Sequence, residues 1–194
     1  LSTLWEMPLI DWPGAATCGA NAQKGVYSSL GNCVGRGGGG FTIYRPEHWA
    51  FHDAELGYGD ILGRESRIFG YEVDGLDYEM RDDLPYPTGE GGASLEIEIL
   101  GLGLATKAEA DHGIWGETLY IGANEVAPTA RELYGEATEE TCGKVSRGNG
   151  VIVHWRRGGG EVFNAATCEW VMGLTRSDPQ VVQVTRNVLD RFTQ

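Results

Sequence analysis

The side chains able to do chemistry fall into three groups. Four histidines are present, His48, His52, His112 and His154. His48 and His52 have the i, i+4 spacing that lets two imidazoles share a metal on a helix face. Trp49, Ala50 and Phe51 between them supply no glutamate of the kind a metalloprotease helix carries. Pro46 makes this stretch a loop or a first helical turn, where a packed or solvated pair is the ordinary outcome. Carboxylates form the second group, in Gly70-Tyr71-Glu72-Val73-Asp74-Gly75. On a strand ending before Gly75, Glu72 and Asp74 point to one face. Two such groups could bind a hard cation or serve as acid and base, although the spacing is not that of an EF-hand loop. A solvated acidic turn is the plainer reading. The third group pairs Cys168 with His154 on neighbouring strands, a conceivable nucleophile and base. A disulfide or a buried thiol explains Cys168 more simply, and no Gly-x-Ser-x-Gly elbow exists.

The elements that must position these groups are mostly strands. Residues 1–40 read as an irregular, glycine-rich segment ending in Gly35-Arg36-Gly37-Gly38-Gly39-Gly40. It lacks the Lys-Ser/Thr of a phosphate loop, which leaves a flexible connector. Residues 41–194 read as a single domain. Strands are expected at 41–44, 67–73, 94–100 and 118–121, with a hairpin from 151–155 to 161–165 around Arg156-Arg157-Gly158-Gly159-Gly160. In residues 94–100, Leu95, Ile97 and Ile99 alternate with Glu96 and Glu98, placing apolar groups on one face and carboxylates on the other. Gly101-Leu102-Gly103 resembles the start of a dinucleotide loop, but Thr106 stands where the third glycine belongs. A short helix is expected at 127–134. The clearest helix closes the chain: Ser177 or Asp178 caps it, Pro179 fits its first turn, and Val181, Val184, Val188 and Phe192 share a face. The fold class is therefore α+β, or part of an α/β domain: β-rich, with one carboxy-terminal helix packed on a sheet.

Composition narrows the partners. The chain has 194 residues, 41% hydrophobic and 22% charged, which suits one domain with a packed core. Its net charge of −13 repels phosphates, so nucleic acid and anionic membrane are excluded as partners. No apolar run is long enough to span a bilayer. Cys18, Cys33, Cys142 and Cys168 could form two disulfides in any of three pairings, and no zinc-ligand spacing surrounds them. The chain starts at Leu1 without a signal-peptide pattern, read as a processed amino end. Export fits four cysteines and processing; the cytoplasm fits reduced thiols.

Three runs then carry a resemblance. They are Tyr44-Arg45-Pro46-Glu47-His48-Trp49-Ala50-Phe51, Gly57-Tyr58-Gly59-Asp60-Ile61-Leu62-Gly63 and Gly70-Tyr71-Glu72-Val73-Asp74-Gly75. Together they are similar to the carboxy-terminal region of proteins like the large (β) subunit of N,N-dimethylformamidase. The stretch from Gly158 through Phe163-Asn164-Ala165-Ala166-Thr167-Cys168-Glu169-Trp170 to Leu174 resembles that family's Phe-Asn-Ala-Gly-Thr-Thr-Asp-Trp signature. The closing helix with Arg186-Asn187-Val188-Leu189 resembles the family's last helix, and Leu4-Trp5 with Pro8 and Pro13 the segment before.

The resemblance implies the latter portion of a glutamine-amidotransferase-like catalytic domain. It also implies hydrolysis of a small amide, of the formamide type, to acid and amine. The cofactor implied is a mononuclear non-haem iron held by two tyrosinates and a glutamate. Glu72 corresponds to that glutamate, and the tyrosine ligands lie upstream of this chain. Tyr44 and Tyr71 sit inside matching motifs without inheriting the ligand role. Asp74 or His48 would transfer protons, while Tyr71, Asn164 and Thr167 would line the pocket. Because the family's amino-terminal regions are absent, an upstream partner chain or larger subunit is implied. The Thr167-Cys168-Glu169-Trp170 variant departs from the signature. The competing expectation is a metal-free, secreted binding or structural module for a carbohydrate or protein ligand, its tryptophans and tyrosines lining a groove.

Overall fold

The computed structural model describes residues 33–35, 39–71, 73–106 and 126–194. The strands are β1 (Cys33–Gly35), β2 (Phe41–Ile43), β3 (Ile61–Leu62), β4 (Gly70–Tyr71), β5 (Tyr78–Arg81), β6 (Leu84–Pro87), β7 (Glu98–Thr106), β8 (Arg147–Arg157) and β9 (Gly160–Asn164). The helices are α1 (Val126–Tyr134), α2 (Glu139–Ser146), α3 (Trp170–Thr175) and α4 (Pro179–Phe192), with 3-10 turns at Trp49–Phe51 and Glu90–Gly92. The molecule is thus mixed α+β. Every described strand pairing is antiparallel.

Strand β7 is the spine of the sheet. One of its edges takes β2 near Gly101 and Leu102 and β1 near Ala105 and Thr106, and β3 and β4 extend these outward. The other edge takes the full length of β8, which pairs in turn with β9. Strand β1 falls within the first forty residues, the stretch expected to be irregular. The expected strand at 67–73 shortens to Gly70–Tyr71, because Arg67 sits at a left-handed φ of 54° that ends extended pairing. The expected strand at 94–100 shifts forward: it starts at Glu98 and continues through Gly101-Leu102-Gly103. Those glycines serve packing. A Cβ on Gly103 would stand 2.3 Å from the Phe69 ring, so the ring packs against bare backbone.

Two apolar layers cover the sheet. Phe41, Ile43, Phe69, Leu100 and Ile152 form one with Val181 and Val184 of α4. Leu76, Ile99, Leu102, Val151, Val153 and Trp155 form the other, toward the β5–β6 hairpin. Helix α4 ends where the sequence places it. Asp178 Oδ1 accepts the N–H groups of Gln180 and Val181, at 3.1 and 3.2 Å, and Pro179 opens the first turn. Burying Val181 and Val184 contributes roughly 1.5–3 kcal/mol each. The β8–β9 hairpin and α1 also form as expected. The β5–β6 hairpin and helices α2 and α3 escaped the sequence reading. That hairpin turns on Asp82 and Asp83, at φ 49° and 63°, a two-residue loop without the usual glycine. No described helix is long and apolar enough to cross a membrane. The expected strand at 118–121, His112 and Cys18 lie outside the described residues.

Candidate functional site

The sheet presents its first cluster at the start of β7. Glu98 lies directly opposite His154 of β8, and His154 directly opposite Phe163 of β9. Facing residues of paired strands share a side of the sheet, so these three side chains meet. A bulge keeps Glu98 on this face: the register shifts between Ile99 and Gly101, adding Leu100 to β7. The next segment over catches the carbonyls this shift exposes. Arg45 Nη1 donates to Ile99 O at 2.6 Å and the Tyr44 N–H to Leu100 O at 2.9 Å. Three residues after Arg45 comes His48.

His48 caps the Trp49–Phe51 turn, its Nδ1 accepting the Ala50 N–H at 3.2 Å. Asn187 of α4 clamps the same turn by donating to Ala50 O at 3.0 Å and His52 O at 2.7 Å. The other nitrogen of His48 is thereby aimed at the sheet. His48 Nε2 stands 3.2 Å from His154 Nδ1 and 3.6 Å from Glu98 Oε2, and His154 Nδ1 stands 3.3 Å from that same oxygen. Both imidazoles are over nine-tenths buried, while Glu98 is half-exposed. Trp49 packs edge-on against His154 at 5.3 Å between centroids, and Phe192 and the Arg191 guanidinium lie against Trp49.

The electrostatics follow from burial. Desolvation first, and His154 second, push His48 down to about 4, overriding the opposite pull of Glu98, Glu161 and Glu47. At neutral pH His48 is uncharged, and with Nδ1 accepting, its proton sits on Nε2. Glu161 lies behind His154, with Oε2 3.7 Å from His154 Nε2. It receives a two-pronged bond from Arg191, at 2.8 and 3.1 Å, which holds its carboxyl down to about 2. His154 Nε2 and Trp49 Nε1 are buried with no hydrogen-bond partner among the described residues. His52 is elsewhere: it faces solvent, 3.1 Å from Asp53 Oδ2, so the i, i+4 pair does not assemble.

A second place unites two motifs that are far apart in sequence. Val73 bridges Thr167, and the Asp74 N–H donates to Ala166 O at 2.9 Å. Asn164 Oδ1 accepts the Ala166 N–H at 2.8 Å. Thr167 Oγ1 donates to Ile68 O at 2.8 Å and accepts the Glu169 N–H at 3.2 Å. Asn164 and Thr167 thus shape the turn after β9, and that turn holds the backbone on both sides of position 72. Glu72 lies outside the described residues, as do the side chains of Tyr71 and Cys33. Asp74 is half-buried, and its carbonyl accepts the Val151 N–H at 3.2 Å. Tyr44 packs against the second apolar layer and edge-on to Tyr58, where burial pushes its phenol up. Cys142 is an unbridged, half-buried thiol; Cys168 is exposed, and no disulfide joins the two.

Of the residues singled out from the sequence, His48 belongs to the first cluster and Asp74, Asn164 and Thr167 to the second. Glu98 and Glu161 are not among them, and His154 enters only as a thiol's partner. Alternation placed Glu98 on a carboxylate face, but not beneath a histidine 50 residues earlier in the chain.

Fold and site together define a mixed α+β domain whose sheet carries a histidine–carboxylate cluster and a motif-bearing turn. A family model described as "N,N-dimethylformamidase beta subunit-like, C-terminal" matches residues 3–183. The chain belongs to that family. No curated protein and no solved structure matches it.

Proposed function

We propose that this chain is the carboxy-terminal part of an iron-dependent amidohydrolase that converts small amides of the formamide type to acid and amine. The observation carrying the proposal is the family match across residues 3–183. It is supported by the way the fold brings the two motifs at 70–75 and 163–170 into one place. In this reading the rest of a glutamine-amidotransferase-like domain and the remaining iron ligands come from outside residues 1–194, in the same protein or a partner subunit. Glu72 is this chain's contribution to the iron.

When bound, the iron supplies Lewis-acid polarisation of the amide carbonyl. The chain's own residues position and move protons around it. Asp74, held by backbone bonds to Ala166 and Val151, is the proposed proton-transfer group. Asn164 and Thr167 act one step removed. By fixing Ala166 O and the Val73 bridge, they set where the Asp74 backbone stands. Burial first, and His154 second, lower His48 to about 4, which favours its neutral imidazole near neutral pH.

The experiment is iron analysis of the natively purified material with every co-purifying chain retained. Glu72→Ala is expected to lose the iron and the hydrolysis together. Asp74→Asn should keep the iron and lose at least ten-fold in kcat. Unchanged iron in Glu72→Ala would remove Glu72 from the site.

A further inference from the structure

From the histidine–carboxylate cluster at the start of β7 we infer that His48, Glu98 and His154 form a second metal site, for a tetrahedral divalent ion of the zinc class. This inference goes beyond the amide-hydrolysis reading and stands without it. The three ligand atoms make a near-equilateral triangle with sides of 3.2, 3.3 and 3.6 Å. An ion about 2.1 Å from each corner sees them at about 100–118°, three corners of a tetrahedron. An octahedral ion at a similar distance would need sides of about 3.0 Å. Two imidazole nitrogens and one carboxylate oxygen are also the donor set that borderline ions take over magnesium or calcium.

The surroundings are built as such sites are. A histidine that ligates through Nδ1 carries its proton on Nε2 and normally gives it to a carboxylate. His154 Nε2 is buried without a partner, and Glu161, held ionised by its paired bond to Arg191, is the nearest carboxylate at 3.7 Å. Trp49 packs on His154 and carries Phe192 and the Arg191 guanidinium against its own ring, while half-exposed Glu98 leaves the fourth corner toward solvent. One contact must change on loading. Coordination through Nε2 moves the His48 proton to Nδ1, so the Ala50 N–H has to release the acceptor it holds at 3.2 Å.

The test uses chelator-stripped full-length chain titrated with Co2+ alone. One ion per chain is expected, with the intense visible absorption of tetrahedral cobalt, abolished by competing Zn2+. Glu98→Gln and His154→Gln should each weaken binding at least ten-fold, and Glu161→Gln by about ten-fold. The Ala50 amide resonance should shift on loading. Glu72→Ala and His52→Gln should bind as the unaltered chain does, which separates this site from the iron reading. Weak octahedral absorption, or full affinity in Glu98→Gln, overturns the inference. Glu98 is half-exposed and its substitution leaves the core intact, so it decides the matter even if His154→Gln fails to fold.

Discussion

His48 shows how one residue's surroundings set its chemistry. In water an imidazole titrates near 6.5; here burial between Trp49, Phe51 and His154 lowers it to about 4. The sign of the stability effect follows. Between pH 6.5 and 4 the unfolded chain binds a proton at this position that the folded chain refuses, so stability present above pH 6.5 is lost as pH falls. The loss levels off below about 4 and amounts to at most about 3 kcal/mol in metal-free protein. Glu161 adds to it lower down, because its carboxylate, paired with Arg191, must be protonated between its ordinary value and about 2. Urea midpoints of chelator-treated chain at pH 7 and pH 5 check this. His48→Gln should flatten the difference, and an unaltered chain equally stable at both would contradict it. The sequence showed His48 but not its partners. Glu98 and His154 reach it through strand register and a bulge, and neither is visible in local spacing.

At the scale of elements, legibility tracked how local the determining forces are. Helix α4 was readable because its cap, its proline and its apolar face all lie within one stretch. The β5–β6 hairpin was not, since Asp82 and Asp83 stand in for a glycine turn and Pro85 and Pro87 argue against a strand. Gly101 and Gly103 illustrate a third case. Their spacing suggests a loop, yet the ring of Phe69, far back in the chain, requires bare backbone at Gly103. Gly103→Ala should therefore cost about 1–3 kcal/mol in thermal or urea unfolding, because its Cβ collides with Phe69. A neutral result would contradict that packing. The clamp between α4 and the Trp49–Phe51 turn gives a second prediction. Asn187→Ala removes two bonds to carbonyls and should cost about 1–2 kcal/mol. It should also weaken Co2+ binding, because His48 loses its fixed approach to the sheet.

For the whole molecule, what composition excluded and what the fold supplies fit together. A net charge of −13 on 194 residues disfavours polyanions and suits a cation-dependent protein with small uncharged substrates. The α+β class was legible from the abundance of strands beside one strong helix. The meeting of residues 70–75 with residues 163–170 was not, because it depends on a bridge spanning more than ninety positions. That meeting gives the family motifs a physical reason to occur together. In the proposed account one motif holds the metal-facing carboxylate and the other holds the motif. Elemental analysis of the native complex, with and without Glu72→Ala, tests this most directly. The account predicts stoichiometric iron and formamide hydrolysis in the unaltered protein, both lost in the variant while the chain stays folded. Folded, unaltered protein that carries no iron and hydrolyses no small amide would contradict it.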